Sequence, residues 1–458
     1  MTRLLDRAHR LAASGASAAA MLLYRNILAR HPDCADAANN LGVLLRQTGA
    51  EAEALRLYRQ ALASVPDHAD ASSNLGRALL ESGDAAAAVT PLRRAAQRQP
   101  AAERFHTLGR AQQAAGALDD ARHSYRAALR LEPLRAESSN NLANVRLAQG
   151  DAAGAVALLD AALAAHPGQA ELRYNRALAL FLLGRWAEAW ADYESRRQAR
   201  GFPSPYRDFG LPRWDGRAIP GATLLLHWEQ GLGDTMQFAR YVARARARAG
   251  RVVLLVQRPL QTLLHGTADM VITDGDTAPR ADVQAPVLSL PHLLGGPVPP
   301  PLRLRAAALP RGDGRMRVGL VWAGNPGHTN DRNRSLPPGA LDPVLRLPGI
   351  DFVNLQLGPR RAEVAGAAFA PQDMAGTAVH VAGLDVLVAV DTSLAHLAGS
   401  LGVPVWLLLP HAPDWRWGLR GAETPWYPSM RLFRQSAPGD WVTPVAAIAA
   451  CLRRLTAR

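Results

Sequence analysis

The side chains most suited to chemistry follow short apolar runs in the second half of the chain. One such segment, here called the first turn, reads Trp228-Glu229-Gln230-Gly231-Leu232-Gly233-Asp234 and comes directly after the apolar run 223–227. Gly231 and Gly233 allow a tight turn from a strand into a helix, and they place Asp234 at the start of that helix. Asp234 faces the predicted cleft there, and one interpretation of it is that it caps the helix.

A second polar segment follows the apolar run 386–390 and should open another helix. Asp391, Thr392 and Ser393 are good N-cap residues, and the unpaired backbone N–H groups of a helix start attract phosphates. His396 lies one turn further along the same helix. It is either part of the phosphate site or a hydrogen-bonded core histidine. A diphosphate is the predicted occupant of this helix start.

A third polar segment, residues 323–337, follows the apolar run 317–322 and contains Arg332 and Arg334. The chain has no lysine, so any cation at an active site must be a guanidinium or a histidine. We predict that Arg332 is solvated. Asp274-Gly275-Asp276 has the spacing of a manganese motif, but a turn is the favoured interpretation.

Buried parallel strands must position these residues. The region 295–314, which lacks periodicity, divides the apolar runs into two groups, and we expect two Rossmann-like halves facing one cleft. The predicted strands are 223–227, 251–256, 270–273, 287–290, 317–322, 352–356, 386–390 and 403–409, with a helix at 235–249 after the first. The complete Gly-x-Gly-x-x-Gly pattern is absent from the first turn, which argues against a dinucleotide oxidoreductase.

The Gly-Leu-Gly-Asp segment, together with Asp391-Thr392-Ser393-Leu394-Ala395-His396-Leu397-Ala398-Gly399, resembles the heptosyltransferase family of glycosyltransferases over about residues 219–445. The resemblance implies a GT-B fold and a metal-independent, inverting transferase whose nucleotide sugar is a substrate, with no cofactor. It makes Asp234 the general base. It assigns donor binding to Gly231, Gly233, Arg334, Asp391, Thr392, Ser393 and His396. Arg334 is a departure, because the family often has lysine at this position.

The N-terminal part of the chain is periodic. Prolines recur at Pro32, Pro66, Pro100, Pro133 and Pro167, a small residue at Gly42, Gly76, Gly109, Ala143 and Ala177, and a turn glycine at Gly15, Gly49, Gly83, Gly116, Gly150 and Gly184. Each unit therefore reads as helix, glycine turn, helix and proline break. This pattern resembles the tetratricopeptide repeat over six units, residues 1–202. Such repeats stack into a superhelix that binds polypeptide.

Asparagines precede four of the small residues by two positions. They are Asn40, Asn74, Asn141 and Asn175. The row resembles the asparagine ladder with which O-linked N-acetylglucosamine transferases hold protein substrates, because an amide both donates to and accepts from a peptide backbone. The alternative is that these asparagines cap or bridge neighbouring helices. A protein or peptide partner in the repeat groove is the prediction.

The predicted domains are six repeats at 1–202, a proline- and glycine-rich linker at 203–218, an N-terminal half at 219–310 and a donor-binding half at 315–458. The net charge of +13 comes from arginine in a lysine-free chain, and we expect no nucleic-acid partner. The two cysteines exclude a disulfide framework. Without a secretion signal or a membrane-spanning run, the prediction is a cytoplasmic glycosyltransferase. The alternative is a non-catalytic repeat scaffold with a degenerate transferase-like domain.

Overall fold

The computed structural model describes residues 1–200, 202, 204, 207–277, 279–310, 314–328, 330–365, 369 and 371–456. The chain divides into two compact units, Met1–Asn175 (the repeat unit) and Arg176–Arg458 (the α/β unit). This division falls before the predicted linker 203–218, of which residues 203, 205 and 206 lie outside the described residues.

Antiparallel helix pairs build the N-terminal region. The helices are α1 Thr2–Ala13, α2 Ser17–Arg30, α3 Ala35–Gln47, α4 Glu51–Ser64, α5 Ala69–Glu81, α6 Ala85–Arg98, α7 Ala102–Ala114, α8 Leu118–Leu131, α9 Ala136–Ala148, α10 Ala152–Ala165, α11 Ala170–Leu182 and α12 Trp186–Tyr193. Each turn glycine lies inside a pair, at a φ between 75° and 89°. A left-handed backbone of this kind is costly for residues with a Cβ atom, which explains the glycine period.

The small-residue period has a packing cause. A Cβ atom on Gly42 would lie 2.7 Å from the ring of Tyr58, which projects from the second helix of the pair. Gly109 has the same relation to Tyr125, also at 2.7 Å. Both tyrosines are buried, so the small residue lets the two helices approach closely around a large side chain. The predicted repeat architecture is confirmed.

The first sheet of the α/β unit is parallel, with the order β3-β2-β1-β4. Its strands are β1 Ile219–His227, β2 Ala249–Val256, β3 Met270–Thr273 and β4 Val283–Pro286, and its helices are α13 Leu232–Phe238, α14 Val242–Arg246 and α15 Leu290–Leu294. Parallel strands joined by crossover segments bury both faces of a sheet, in agreement with the continuous apolar runs of the sequence.

The second sheet is also parallel, with the order β6-β5-β7-β8-β9. Its strands are β5 Met316–Val321, β6 Ile350–Asn354, β7 Val386–Val390, β8 Val405–Leu409 and β9 Met430–Arg434. Its helices are α16 Asp331–Arg334, α17 Asp342–Leu345, α18 Met374–Ala382, α19 Ser393–Leu401 and α20 Val442–Thr456. The α/β class with parallel sheets is therefore confirmed.

Three local predictions were wrong. Residues 287–290 form a 3₁₀ turn and the start of α15, and the strand is the preceding segment Val283–Pro286; a short apolar run fits a buried helix as well as a strand. The helix predicted at 235–249 is interrupted by a 3₁₀ turn at Ala239–Tyr241. Strand β9 was not predicted, because Arg431 and Arg434 break its apolar run.

An aromatic cluster joins α11 and α12 to both sheets of the α/β unit. The ring of Phe181 stacks on Trp415 with centroids 4.2 Å apart, and Trp186 meets Trp426 edge-on at 5.5 Å. Trp190 contacts Phe238 of α13 at 5.8 Å. The sequence left Trp415, Trp417, Trp426 and Tyr427 between sugar stacking and packing. All four are buried, which supports packing.

Candidate functional site

The candidate site lies where loops from the carboxyl ends of both sheets meet. In the second sheet the strand order reverses between β5 and β7, and ligands of open parallel sheets bind at such a reversal. The loops after β5 and β7 carry Arg334 and Asp391, while the first turn after β1 carries Asp234. We call the group Asp234, Arg334, Asp391, Thr392, Asp414 and Arg416 the strand-end site.

Arg334 is held between the loops after β5 and β7. Its Nη1 donates to the carbonyl oxygen of Asp391 at 3.1 Å, and its Nε lies 3.4 Å from Asp331. A Cβ atom on Gly324 would come within 2.5 Å of the guanidinium, so this glycine makes room for it. Arg332 is exposed, as expected for a solvated side chain. The structure thus fixes a mostly buried cation at the predicted position.

The start of α19 carries an unsatisfied hydroxyl group. Thr392 is the N-cap residue, with an extended backbone at φ −143°, but its side chain makes no capping hydrogen bond. Within the described part of the chain, its buried Oγ1 has no hydrogen-bond partner at all. Buried polar atoms are nearly always paired, so an orphan at a helix start calls for an explanation. A ligand that accepts a hydrogen bond there supplies one.

Asp234 has two partners. Its Oδ2 accepts a hydrogen bond from the backbone N–H of Gly231 at 2.8 Å, and its Oδ1 is paired with Nη2 of Arg416. The first contact is the capping role foreseen as an alternative. Burial raises the pKa of Asp234 above its usual range, although Arg416 acts in the opposite direction. Capping does not remove the carboxylate as a proton acceptor, and the catalytic role stays a prediction.

Sequence reasoning missed Arg416, which joins the two halves of the α/β unit. Its three nitrogens bind Asp234, Asp414 at 2.8 Å and the Oε1 of Gln237 at 2.8 Å, and only 7% of the side chain is exposed. The sequence analysis singled out Trp415 and Trp417 but not Arg416, which stands between them. An arginine between two tryptophans and next to an aspartate is a candidate for a buried ion pair.

Asp391 is an unusual carboxyl group. Burial raises its pKa to about 6, and the neighbouring Asp414 adds to the effect. The negative charge of Asp414 disfavours ionisation of the Asp391 carboxyl, which therefore keeps its proton to a higher pH than an exposed aspartate does.

We expect Asp391→Asn to stabilise the protein at pH 8 and to have no such effect at pH 4. The unfolded carboxyl ionises near pH 4 and the folded one near pH 6, so its destabilisation of the native state develops between these values and is complete above pH 6. The gain is on the order of 1–3 kcal/mol. Thermal unfolding at both pH values measures it.

Asp276→Asn is the matched control for this prediction. The backbone N–H of Thr273 lowers the pKa of Asp276, so its loss should destabilise the protein at pH 8 and matter least at low pH. A melting temperature of Asp391→Asn below that of the wild type at pH 8 would contradict the assignment.

His396 is a hydrogen-bonded core residue in the structure. Its Nδ1 lies 3.0 Å from the hydroxyl of Tyr427, and burial places its pKa well below the usual range. A Cβ atom on Gly233 would lie 2.8 Å from its ring, so Gly233 permits α13 and α19 to pack closely. The core interpretation that the sequence left open for His396 is therefore observed. Direct contact of Gly231, Gly233, Ser393 or His396 with a donor stays a prediction.

The asparagines of the repeats bridge neighbouring helices. Asn74 donates to Asn39 at 2.9 Å and Asn175 donates to Asn140 at 2.7 Å, in each case across one repeat. Asn40 bonds to His9 at 2.7 Å, and Asn141 lies beside the hydroxyl of Tyr125. The bridging alternative is therefore observed. Peptide binding by the same side chains stays a prediction.

Other sequence assignments can be placed. Asp274-Gly275-Asp276 forms a turn in which Asp276 accepts from the N–H of Thr273 at 2.8 Å. Among the described residues, no three His, Cys, Asp or Glu side chains are grouped to hold a metal ion. No helix in the described ranges is both long and apolar enough to cross a bilayer. Metal independence and a cytoplasmic location stay predictions.

Comparison with known proteins identifies the repeats. Models described as tetratricopeptide repeat match residues 5–59, 106–170 and 140–201, and another of the same description matches 45–112. The N-terminal region therefore consists of tetratricopeptide repeats. Repeats of this type bind proteins and peptides.

One curated relative extends beyond the repeats. "Protein FlbA" of Caulobacter vibrioides is 29% identical over 380 residues, which cover 72% of this chain. The match covers 63% of that relative's own length, and its name states no activity.

The solved structures that match this chain include MamA, which is 20% identical with a TM-score of 0.34; the match covers 35% of this chain and 88% of MamA. A second is YrrB, described as a TPR protein with an unusual peptide-binding site. It is 17% identical with a TM-score of 0.35, and the match covers 38% of this chain and 89% of YrrB. A third is MamA from Desulfovibrio magneticus RS-1, which is 18% identical with a TM-score of 0.34. The match covers 37% of this chain and 96% of that MamA chain.

Proposed function

We propose that the α/β unit is a glycosyltransferase of GT-B architecture and that the repeats hold a protein acceptor. The observation that carries the proposal is the convergence of three sequence-predicted residues, Asp234, Arg334 and Asp391, on one site. They come from loops after β1, β5 and β7, and Arg416 ties the first of these loops to the second sheet. A site between two parallel sheets is where a nucleotide and an acceptor can meet.

The start of α19 is the proposed diphosphate site. The orphan hydroxyl of Thr392 donates to a phosphate oxygen, the unpaired N–H groups of the first helical turn donate beside it, and Arg334 supplies the positive charge. The helix dipole adds to this attraction. Together these groups stabilise the negative charge that develops as the nucleoside diphosphate leaves.

Asp234 is the proposed general base. The acceptor hydroxyl loses its proton to this carboxylate while its oxygen forms a bond to the anomeric carbon. The bond from that carbon to the diphosphate oxygen breaks, and the electron pair leaves with the diphosphate. The raised pKa of Asp234 suits a base, because a carboxyl with a pKa nearer neutrality takes a proton more readily. Attack opposite the leaving group gives inversion.

A repeat scaffold is the second candidate function. The observation in its favour is that both oxygens of Asp234 already have partners, Gly231 and Arg416, which together suffice to explain this aspartate as a structural residue. A degenerate transferase-like domain would preserve these contacts for folding alone. Binding and activity measurements separate the two candidates.

The binding test of the proposal is a melting-temperature screen of the full chain with UDP, GDP, ADP and dTDP. A ligand at 100 times its Kd stabilises the native state by about 2.7 kcal/mol, so the correct nucleotide gives a clear shift. We expect Arg334→Ala to weaken that nucleotide at least tenfold, since it removes a charge-assisted hydrogen bond to the diphosphate.

Arg332→Ala is the control for this test, because Arg332 lies on the same helical turn but is exposed. It should leave the Kd unchanged. If no nucleoside diphosphate shifts the melting temperature, or if Arg334→Ala binds as tightly as the wild type, the diphosphate site is refuted.

A further inference from the structure

Gln230 in the first turn has a strained backbone. Its φ is +60°, and it is the only non-glycine residue with a positive φ in the described part of the chain. Left-handed conformations of such residues persist only where the surroundings impose them, and they concentrate at functional sites. Gln230 directly precedes Gly231, whose backbone N–H donates to the carboxylate of Asp234. The strained residue is therefore next to the residue that hydrogen-bonds the proposed base.

Three hydrogen bonds hold Gln230 in place. Its side-chain amide donates to the hydroxyl of Tyr193 at 2.9 Å. Its backbone N–H donates to Ser204 at 3.2 Å, and its carbonyl oxygen accepts from Gln257 at 3.3 Å. Of these contacts, the one to Tyr193 comes from the last residue of α12, within the sixth repeat. The repeat thus restrains the strained residue through a single hydroxyl group.

The same end of the repeat fixes the neighbouring residue. Arg196, fully buried in the 3₁₀ turn after α12, pairs with Glu229 at 2.6 Å and donates to Ser289 at 2.9 Å. Ser289 follows β4, the strand at the order reversal of the first sheet. Glu229 and Gln230 are therefore both anchored to the repeat.

Tyr193 also lies near the partner of Asp234. Its ring centroid is 6.0 Å from that of Trp415, and Trp415 carries the Arg416 guanidinium 4.4 Å above its own ring. Tyr193 therefore contacts Gln230, which precedes the Gly231 that hydrogen-bonds Asp234. It also contacts Trp415, on which the Arg416 guanidinium lies.

We propose that Tyr193 is a positioning residue for the strand-end site. Its hydroxyl keeps Gln230 in the left-handed conformation, and this conformation sets the plane of the next peptide bond, hence the direction of the Gly231 N–H. That N–H orients the Asp234 carboxylate. The sixth repeat is accordingly a working part of the site. The expected effect on transfer rests on the proposed function. The restraint of the first turn by Tyr193 does not, because it exists without a substrate.

The test compares Tyr193→Phe with the wild type in the full chain. Amide hydrogen exchange of the peptide 228–236 should accelerate about tenfold, with the melting temperature nearly unchanged, because the ring stays and one hydrogen bond is lost. Transfer kcat should fall about tenfold while the KM of the donor is unchanged. Gln230→Gly tolerates a positive φ and removes the same hydrogen bond, so it should match Tyr193→Phe, and the double variant should show no further effect.

Tyr125→Phe is the matched control. Its hydroxyl donates to Gln113 inside the repeat unit, so its loss should leave exchange at 228–236 unchanged. Wild-type exchange in Tyr193→Phe, or fully additive effects in the double variant, would overturn the proposal. If Tyr193→Phe does not fold, Gln230→Gly and its exchange decide alone. A further outcome is that amide exchange of the peptide 228–236 accelerates in Tyr193→Phe but that no protein, the wild type included, transfers sugar. This outcome supports the positioning role of Tyr193 and counts against the proposed function.

Discussion

Replacing Asp234 by asparagine should lower the rate of sugar transfer by about 10²–10⁴-fold and leave nucleoside diphosphate binding within about twofold. Asparagine can still accept the hydrogen bond from Gly231, but it cannot take a proton from the acceptor. It also leaves Arg416 with one carboxylate partner, Asp414, so some stability is lost as well. Single-turnover transfer and equilibrium nucleotide binding measure the two effects separately.

Asp269 provides a control with the same kinds of partner. Its carboxylate accepts from the N–H of Val252 at 2.8 Å and pairs with Arg246 at 2.6 Å, but it lies at the amino end of β3, at the opposite edge of the sheet. Asp269→Asn should destabilise the protein without affecting transfer. If Asp234→Asn retains wild-type transfer in an active preparation, Asp234 is only a cap. The scaffold alternative requires instead that the wild-type protein itself transfers no sugar.

Deleting the whole repeat array, the sixth repeat included, should prevent the rest of the chain from folding. A chain that begins at residue 203 lacks Phe181, Trp186 and Trp190, and it exposes the rings of Trp415 and Trp426, which are 6% and 0% exposed in the intact protein. Removing one buried aromatic side chain typically costs about 3–5 kcal/mol, and a domain has only about 5–15 kcal/mol in total. Circular dichroism should show no cooperative thermal transition.

A chain that begins at Ala170 is the comparison, because it retains α11 and α12. It should unfold cooperatively. A cooperative transition in the shorter chain at a similar temperature would show that the aromatic cluster contributes little.

The periodic features of this chain were predictable because each reports a local physical requirement. The turn glycines mark left-handed backbone, and Gly42 and Gly109 mark helix contacts around a tyrosine. Such requirements recur every 34 residues or follow each strand, so the sequence pattern reveals them. The approach of Arg334 to Asp391 could also be anticipated, since the ends of adjacent parallel strands meet at one edge of a sheet.

Contacts between distant segments were not predictable in this way. Arg416 and Asp234 are 182 residues apart, and no spacing rule connects them. The strain at Gln230 arises from the hydroxyl of Tyr193, the side chain of Gln257 and Ser204, which approach from different segments. The bridging role of Asn74 was open for a related reason, because an amide suits a neighbouring asparagine and a bound peptide equally well.

The division of the chain at Asn175/Arg176 bears on how this protein can change in evolution and in engineering. Whole 34-residue modules upstream of the division can be inserted, deleted or exchanged, because repeat arrays gain and lose stability module by module. Array length can then vary while the contacts within Arg176–Arg458, including those of the strand-end site, stay the same. The sixth repeat is excluded from this freedom. Its replacement by a consensus module would require the aromatic residues of α12 and Tyr193 to be transplanted with it.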